Sequence, residues 1–197
     1  AGNLPRKILV PFSYECKASG IGEHQPHSVV WYSRRIEGKG DKRAILYFEG
    51  ADYDTEVYID GRLIGKHRGA YTRFSFDVTE YLSESGNILT VRCEDSMATD
   101  QPRGKQRWLK QDFGCWYKPT SGIWYVQTTG IYKSVWMEYV GETYLTALKI
   151  TPSLKDNTVR FDASVSQPGE DVEVRFDISF RGKHVQAVGI SAADVEN

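Results

Sequence analysis

Eight aromatic rings lie between Trp108 and Trp136, a stretch of 29 residues that holds four of the five tryptophans. At its start, the polar segment 101–111, QPRGKQRWLKQ, surrounds Trp108 with basic and amide side chains. Flat rings stack on the C–H faces of sugars, and amide or guanidinium groups bind sugar hydroxyls. This combination therefore favours carbohydrate binding. The same rings are also typical core residues of a β-sandwich, so both interpretations stay open.

The sequence contains no recognisable catalytic arrangement. Glu94 and Asp95 are adjacent, so on a strand their carboxylates face opposite sides and cannot act as an acid–base pair. We interpret them as the solvated end of a strand. A serine–histidine–aspartate elbow, a glycine-rich phosphate loop and an HExxH motif are absent from the sequence. We therefore predict that this chain contains no catalytic residue.

The cysteines and histidines are too scattered to predict a metal site, and no cofactor is expected. Cys16, Cys93 and Cys115 show no Cys-x-x-Cys spacing, and His24 and His27 share a loop without a third ligand nearby. An odd number of widely spaced cysteines favours reduced, mostly buried thiols in a cytoplasmic protein. One disulfide with a single thiol left over is the alternative.

The charge balance narrows the classes of partner. Lys plus Arg is 25 against 26 for Asp plus Glu, which gives a net charge of −1 and argues against a nucleic-acid or polybasic membrane binder. No apolar run approaches the ~20 residues needed to span a bilayer. We expect neither nucleic acid nor a membrane as partner. The start at Ala1–Asn3 resembles a cut inside a longer protein, which leaves an exported parent open.

Apolar and polar residues alternate with a period of two along most of the chain, which indicates strands. The expected strands are Lys7–Val10, Val29–Ile36, Ala44–Phe48, Glu56–Ile59, Phe74–Val78, Ile88–Cys93, Ser134–Val140, Tyr144–Ile150, Thr158–Val165, Val172–Phe180 and His184–Val188. The continuous apolar run Ala44–Phe48 predicts a strand that is covered on both faces. Many short strands with turns between them predict an all-β fold.

Two turns can be predicted in detail. Asp60-Gly61 predicts a type I′ hairpin, because both positions of that turn need positive φ and these residues adopt it at low steric cost. The segment Asp77–Leu82 is expected to end a strand and form one helical turn, with Thr79 as its N-cap.

A domain boundary is predicted near Val140–Thr143, where VGET interrupts the strand pattern. We place one domain at residues 1–142 and a second at 143–197. The second has room for roughly four strands, whereas an immunoglobulin-like sandwich uses about seven. We expect it to be truncated. Its open strand edges and apolar face predict self-association into a homo-oligomer.

The run Leu46–Leu82, LYFEGADYDTEVYIDGRLIGKHRGAYTRFSFDVTEYL, resembles the N-terminal sugar-binding domain of glycoside hydrolase family 2. The shared pattern is an apolar strand, an Asp-Tyr pair, the VYIDG hairpin and the glycine- and aromatic-rich segment after it. Other segments fit the same family in the same order: Val10–Glu15, Ser19–Gly22, Trp31–Ile36 and Ser121–Val140. The resemblance covers about residues 7–140. The tail from Tyr144 is similar to the start of the family's next domain.

The resemblance implies a jelly-roll (galactose-binding-like) β-sandwich followed by a partial immunoglobulin-like β-sandwich. Members hydrolyse terminal β-glycosides, among them β-galactosides and β-glucuronides, with two glutamates on a (β/α)8 barrel. The acid/base glutamate of the family follows an asparagine, and this chain has no Asn-Glu pair. The implied partners are a carbohydrate and the enzyme's own catalytic barrel, and the chain alone is expected not to hydrolyse glycosides.

The resemblance also bears on the site residues. Some members place an aspartate about six residues before the closing Gly-Ile, where this chain has Trp124. The candidate substrate-binding residues are Asp112, Trp116, Tyr117 and Trp124. Three roles stay open: an accessory domain whose loop Gln101–Tyr125 borders the active site of a glycosidase, a free carbohydrate-binding module, and a scaffold buried against the barrel or another subunit.

Overall fold

The computed structural model describes residues 6–23, 25–38, 40–96, 104–106, 108–111, 114–117, 122–125 and 127–192. The chain divides into two compact units, Ala1–Tyr139 and Val140–Asn197, each described here by itself. The strands are β1 (Val29–Ile36), β2 (Arg43–Phe48), β3 (Ala51–Asp52), β4 (Asp54–Ile59), β5 (Arg62–Arg68), β6 (Phe74–Asp77), β7 (Asn87–Glu94), β8 (Trp108–Gln111), β9 (Gly114–Tyr117), β10 (Gly130–Ile131), β11 (Val135–Val140), β12 (Leu145–Ser153), β13 (Thr158–Val165), β14 (Glu173–Phe180) and β15 (Lys183–Ser191). Short 3-10 turns lie at Lys17–Ser19 and Thr79–Tyr81.

The first unit is a sandwich of two antiparallel sheets. One sheet has the strand order β1-β7-β4-β5 and the other β11-β2-β6, while β3 and β10 form a short separate pair. Its largest fully buried side chains include Phe48, Leu46, Ile59 and Val57. These residues come from β2 and β4, one strand of each main sheet, so the core lies between the two sheets.

The burial of residues along the strands agrees with a core that lies between two sheets. β7 alternates strictly between buried and half-buried residues, which is the pattern of a strand with one face on the core. In β2, by contrast, Ala44, Ile45, Leu46 and Phe48 are all buried. The prediction of a strand covered on both faces is therefore confirmed.

The Asp60-Gly61 hairpin is confirmed as well. Both residues have positive φ, 47° and 81°, and they join β4 to β5. The helical turn after Asp77 is also present, but the role predicted for Thr79 is wrong. Val78 is the residue before the turn, and the Thr79 hydroxyl instead donates to Asp77 Oδ1 at 2.6 Å and accepts from the Ala44 N–H at 2.9 Å.

The strand predicted at Lys7–Val10 is wrong. No strand among the described residues pairs with it, and the chain turns immediately afterwards, with the Phe12 N–H donating to the Leu9 carbonyl at 3.1 Å. The Leu9 N–H donates to the Ser19 carbonyl at 2.8 Å. An apolar run forms a strand only where a neighbouring edge supplies hydrogen bonds, and this segment instead bonds to the loop that holds Ser19.

The described thiols are free. Cys93 is fully buried beside the Thr55 hydroxyl at 3.8 Å, and burial raises its pKa to about 12. Cys16 is also free but exposed, so the expectation of buried thiols holds for Cys93 and fails for Cys16. The side chain of Cys115 lies outside the described residues.

The second unit consists of two antiparallel hairpins, β12–β13 and β14–β15. Phe161 on β13 and Phe176 on β14 stack with their ring centroids 4.6 Å apart, which joins the hairpins. Apolar side chains such as Leu148, Ile150 and Leu154 are exposed. Self-association through residues after Thr143 stays a prediction, as does the boundary placed at residue 142.

The expected all-β fold class is confirmed: the described residues form antiparallel sheets, with a sandwich in the first unit and two hairpins in the second. Within the described residues, no helix has the length and apolar character needed to cross a membrane.

Gly130 offers a direct test of the packing between the short strand pair and β1. Its φ is 79°, and a Cβ atom there would collide with the Tyr32 hydroxyl and lie 2.8 Å from Val30 Cγ2. Gly61 has almost the same φ, but a Cβ atom there would meet nothing within 4 Å. We predict that Gly61→Ala lowers the free energy of unfolding by about 1 kcal/mol, through φ alone.

Gly130→Ala should lower the free energy of unfolding by about 1–3 kcal/mol more than Gly61→Ala does, because it adds overpacking to the same backbone strain. Urea denaturation of the two variants and the wild type measures the difference. Equal losses in the two variants would show that the contact with Tyr32 relaxes freely.

Candidate functional site

We call Gln101–Tyr125 the aromatic loop. Two of its described segments are tied to each other at one end of the sandwich. The backbone of Gln106 forms a parallel bridge with Tyr125. The Lys105 N–H donates to the Tyr125 hydroxyl oxygen, and the Tyr125 N–H donates to the Lys105 carbonyl, each at 3.1 Å. Residues 104–106 and 122–125 are therefore held side by side.

A third segment meets them at Tyr71, between β5 and β6. A Cβ atom on Gly104 would lie 2.6 Å from the Tyr125 hydroxyl and 3.7 Å from the Tyr71 hydroxyl, so the two phenols converge on this glycine. Tyr71 is 60% exposed, Tyr125 47% and the neighbouring Trp124 46%. We call Tyr71, Trp124 and Tyr125 the aromatic patch. Its rings face solvent, whereas Tyr14 and Phe48 of the same unit are buried.

A buried acid lies under the patch. Asp52, at the end of β3, is 8% exposed and pairs in register with Gly130 of β10. Partial burial raises the pKa of Tyr71, and the charges of Asp52 and Tyr125 raise it further. Burial raises the pKa of Tyr132 too, again with contributions from Asp52 and Tyr71. These tyrosines therefore remain protonated and can donate hydrogen bonds.

Tyr132 fixes the segment that carries Tyr71. Its hydroxyl donates to the Ala70 carbonyl at 2.7 Å. The Lys133 ammonium lies 5.6 Å from the centroid of the Tyr132 ring, a cation–π contact. The base of the patch is thus held by the connection that leads from β10 to β11.

The aromatic loop is anchored by a buried polar network centred on Asp95. This carboxylate is 1% exposed and accepts hydrogen bonds from Thr129 Oγ1 at 2.9 Å and Gln127 Nε2 at 3.2 Å. The Gln106 side-chain oxygen accepts from the Thr128 N–H at 3.2 Å. Interpreting Asp95 as a solvated strand end was wrong. Breaking a buried, charged hydrogen bond costs about 1.5–3 kcal/mol, so this network sets the course of the chain from Tyr125 to β10.

A second buried acid, Glu15, lies on the other side of Thr129. Both of its carboxylate oxygens are buried without a hydrogen-bond partner in the described part of the chain. Burial raises the pKa of Glu15 to about 7. The Ser13 hydroxyl and the backbones of Glu15 and Thr129 lie nearby and lower this pKa in part. None of them is close enough or well enough aligned to form a hydrogen bond with the carboxylate oxygens. The segment 127–129 therefore runs between two buried carboxyl groups.

The four predicted site residues are placed unequally. Trp124 is exposed in the aromatic patch. Trp116 and Tyr117 belong to β9, where they pair in register with Leu109 and Trp108 of β8, but their side chains lie outside the described residues. Asp112 also lies outside them. Sugar contact by these four residues stays a prediction.

Tyr71, Asp52 and the Asp95 network were not among the predicted residues. Tyr71 had one usable signal, an aromatic residue in a glycine-containing turn between two strands. The partners of Asp95 are 32 and 34 residues away along the chain, so no local pattern reveals its burial. Among the described residues no cluster of three or more His, Cys, Asp or Glu side chains could hold a metal ion.

Residues 25–130 match the family described as "Glycosyl hydrolase 2 galactose-binding domain-like". The chain belongs to this family. The resemblance inferred from the sequence is thereby confirmed, and the sandwich that carries the aromatic patch is the family's galactose-binding-like domain.

Similar proteins include a "Putative beta-glucuronidase" of Formosa agariphila, 29% identical over 153 residues, and a "Beta-galactosidase" of Thermoanaerobacter pseudethanolicus, 24% identical over 150 residues. The matches cover 76% and 73% of this chain but only 17% and 18% of those proteins. This chain therefore spans less than a fifth of the length of the curated relatives it matches.

Solved structures share the fold. A β-glucuronidase of Faecalibacterium prausnitzii superimposes with a TM-score of 0.66 at 21% identity, covering 97% of this chain and 36% of that one. A Bifidobacterium dentium β-glucuronidase, solved with coumarin-3-O-glucuronide, gives a TM-score of 0.71 at 20% identity, covering 93% and 34%. At this identity the likeness concerns the architecture alone.

The raised pKa of Glu15 predicts a pH-dependent stability. The carboxyl has a pKa of about 7 when folded, against an ordinary value of 4.5, so the folded state binds this proton more tightly. The contribution of Glu15 to stability is therefore fully present below pH 4.5 and is lost as the pH rises to about 7. The loss should approach ~3 kcal/mol.

Glu15→Gln should remove this slope, because the amide stays neutral and retains the shape of the protonated acid. Urea unfolding of wild type and variant between pH 4.5 and 8 measures the difference in free energy. Glu80→Gln, at an exposed position, is the matched control and should run parallel to the wild type. A Glu15→Gln curve that also runs parallel would contradict a shifted pKa.

Proposed function

We propose that this chain is a non-catalytic accessory region of a family 2 glycosidase, and that its aromatic patch borders the sugar site of the longer parent enzyme. The observation that carries the proposal is the exposure of Trp124 and Tyr125, on a loop anchored by buried polar groups, beside the exposed Tyr71. Exposed rings on a rigid support are suited to stacking against a sugar ring, because little conformational entropy is lost on binding.

The surroundings of the patch suit a polar ligand. Lys105 is exposed and its backbone is fixed to Tyr125, so its ammonium is available next to the rings. The phenol groups of Tyr71 and Tyr125 can both donate and accept hydrogen bonds. Rings flanked by hydroxyl and ammonium groups match the alternation of C–H faces and hydroxyls on a sugar.

Hydrolysis itself is assigned to a part of the parent enzyme outside this chain. Retaining glycosidases need two carboxyl groups about 5–5.5 Å apart with access to the scissile bond. Asp95 and Glu15 are buried, and Glu94 is engaged by Arg92 at 2.5 Å. The names of the similar proteins favour a β-glucuronide or a β-galactoside as substrate of the parent.

A scaffold role is the second candidate, and Ile123 favours it. This residue is 66% exposed directly before Trp124. An apolar side chain adds nothing to hydroxyl recognition but would contribute to a protein contact. In this alternative the same loop packs against the catalytic barrel and never touches sugar.

Trp124→Ala in the parent enzyme tests the proposal. We predict a three- to tenfold loss of kcat/KM on p-nitrophenyl β-glucuronide or β-galactoside, because one aromatic stacking contact contributes about 0.5–1.5 kcal/mol. Trp31→Ala is the matched control, since Trp31 is 50% exposed on β1, where it packs beside Tyr58 of β4. The control should leave kcat/KM within about twofold.

Three outcomes would contradict the accessory role. Unchanged kinetics together with a lower melting temperature of the parent enzyme would favour the scaffold. Millimolar binding of these glycosides by the isolated chain, lost on Trp124→Ala, would favour a free carbohydrate-binding module. Turnover of a chromogenic glycoside by the isolated chain would overturn the assignment of hydrolysis to the rest of the parent.

A further inference from the structure

Gly104 lies between the two phenol groups of the aromatic patch. A Cβ atom on this residue would lie 2.6 Å from the Tyr125 hydroxyl and 3.7 Å from the Tyr71 hydroxyl. Because one point lies this close to both oxygens, they are no more than ~6.3 Å apart, and two hydrogen bonds that share one oxygen span about 5.5 Å. We call the space between them, over the backbone of Gly104, the phenol notch. Its width suits one small polar group.

Each side of the phenol notch is fixed by its own hydrogen bonds. On one side, the Tyr132 hydroxyl donates to the Ala70 carbonyl at 2.7 Å, directly before Tyr71. On the other side, the Lys105 N–H donates to the Tyr125 hydroxyl and the Tyr125 N–H donates to the Lys105 carbonyl, each at 3.1 Å. A group that enters the notch therefore meets two phenols that are already in position, so little entropy is lost on binding.

Both phenols retain hydrogen-bonding capacity. The Tyr125 hydroxyl accepts the Lys105 N–H, but its own proton has no acceptor within the described part of the chain. The described residues also offer no hydrogen-bond partner to the Tyr71 hydroxyl, and the two phenols do not bond to each other. A phenol donates one hydrogen bond and can also accept. The notch therefore presents two donors and an acceptor to the same small volume.

This set of donors and acceptors matches a hydroxyl group. A sugar hydroxyl can accept a hydrogen bond from one phenol and donate its own proton to the other. A carboxylate only accepts, and the charge of the buried Asp52, which raises the pKa of Tyr71, would repel it. An ammonium group only donates, so both phenol protons would stay without an acceptor. The notch thus favours a neutral hydroxyl over either ion.

We propose that the phenol notch binds one hydroxyl group of the glycoside, and that Gly104 sets this specificity because it has no side chain. The inference rests on the accessory role proposed for the aromatic patch and adds the group of the sugar that the patch recognises. Stacking on Trp124 alone tolerates many orientations of a sugar ring. A hydrogen-bonded hydroxyl selects among them, and a site built for it rejects sugars that lack the hydroxyl.

Gly104→Ala and Gly122→Ala form a matched pair within the aromatic loop. Their φ angles are 60° and 59°, so alanine introduces the same backbone strain at both positions. A Cβ atom on Gly104 would enter the phenol notch and collide with the Tyr125 hydroxyl, whereas on Gly122 it would meet nothing within 4 Å. In the parent enzyme, Gly104→Ala should lower kcat/KM on p-nitrophenyl β-galactoside or β-glucuronide about fivefold more than Gly122→Ala does.

Removal of single hydroxyls tests the notch without backbone strain. Tyr71→Phe and Tyr125→Phe should each lower kcat/KM about two- to tenfold, the effect of one hydrogen bond. Because both phenols bind the same sugar hydroxyl, the loss in the double variant should be smaller than the product of the single losses. Tyr139→Phe, at an exposed phenol on β11, is the matched control and should stay within about twofold of the wild type. Thermal melts verify that all variants are folded.

Substrates that each lack one hydroxyl identify the bound group. The probes are monodeoxy analogues of the p-nitrophenyl glycoside that the parent enzyme hydrolyses. On one of them, Tyr71→Phe should cause no further loss of kcat/KM, because the partner of the phenol is already missing. On the other analogues Tyr71→Phe should keep its full effect.

The results separate failure of this inference from failure of the proposed function. If Trp124→Ala lowers kcat/KM but Tyr71→Phe does not, or if both glycine variants lose equally, the patch borders the sugar site and the notch takes no part in it. If none of these variants changes the kinetics, the accessory role itself is wrong. A Tyr71→Phe loss that appears only with the glucuronide and persists on each of its monodeoxy analogues would assign the notch to the carboxylate. Multiplicative losses in the double variant would mean that the two phenols bind different groups.

Discussion

The end of this domain that carries the aromatic patch depends on the hydrogen bonds to the Asp95 carboxylate. They join the end of β7, a central strand of one sheet, to the segment that carries the aromatic loop back into β10. A buried acid without partners would be costly, and a free loop of this length would sample many conformations. The hydrogen bonds from Gln127 and Thr129 satisfy the buried Asp95 carboxylate and also restrict the conformation of the loop. The aromatic patch is exposed to solvent, whereas the hydrogen-bonded side chains that support it are buried.

The local features of the fold could be predicted from the sequence, because they depend on neighbouring residues. Asp60-Gly61 specifies its hairpin through backbone conformation alone. The apolar run of β2 indicates a strand that is buried on both faces. Features set by distant partners could not. From the sequence, Asp95 resembles a surface acid, because its hydrogen-bond partners lie more than thirty residues away along the chain. Lys7–Val10 has the apolar run of a strand, but no described strand pairs with it. Tyr71 joins the patch only through contacts across the fold.

Family membership and local chemistry answer different questions about this chain. The match over residues 25–130 establishes the domain type, and the short coverage of the relatives indicates that much of such enzymes lies elsewhere. Fold alone does not determine what a domain binds.

The contrast between two thiols has a practical consequence. Cys93 is sealed in the core with its pKa raised to about 12, so almost no thiolate exists there at neutral pH to react with alkylating reagents or peroxide. Cys16 is exposed a short distance along the chain from Glu15. With Cys115 replaced by serine, a maleimide dye would therefore label Cys16 and spare Cys93, which places a spectroscopic reporter beside the buried acid without disturbing the interior.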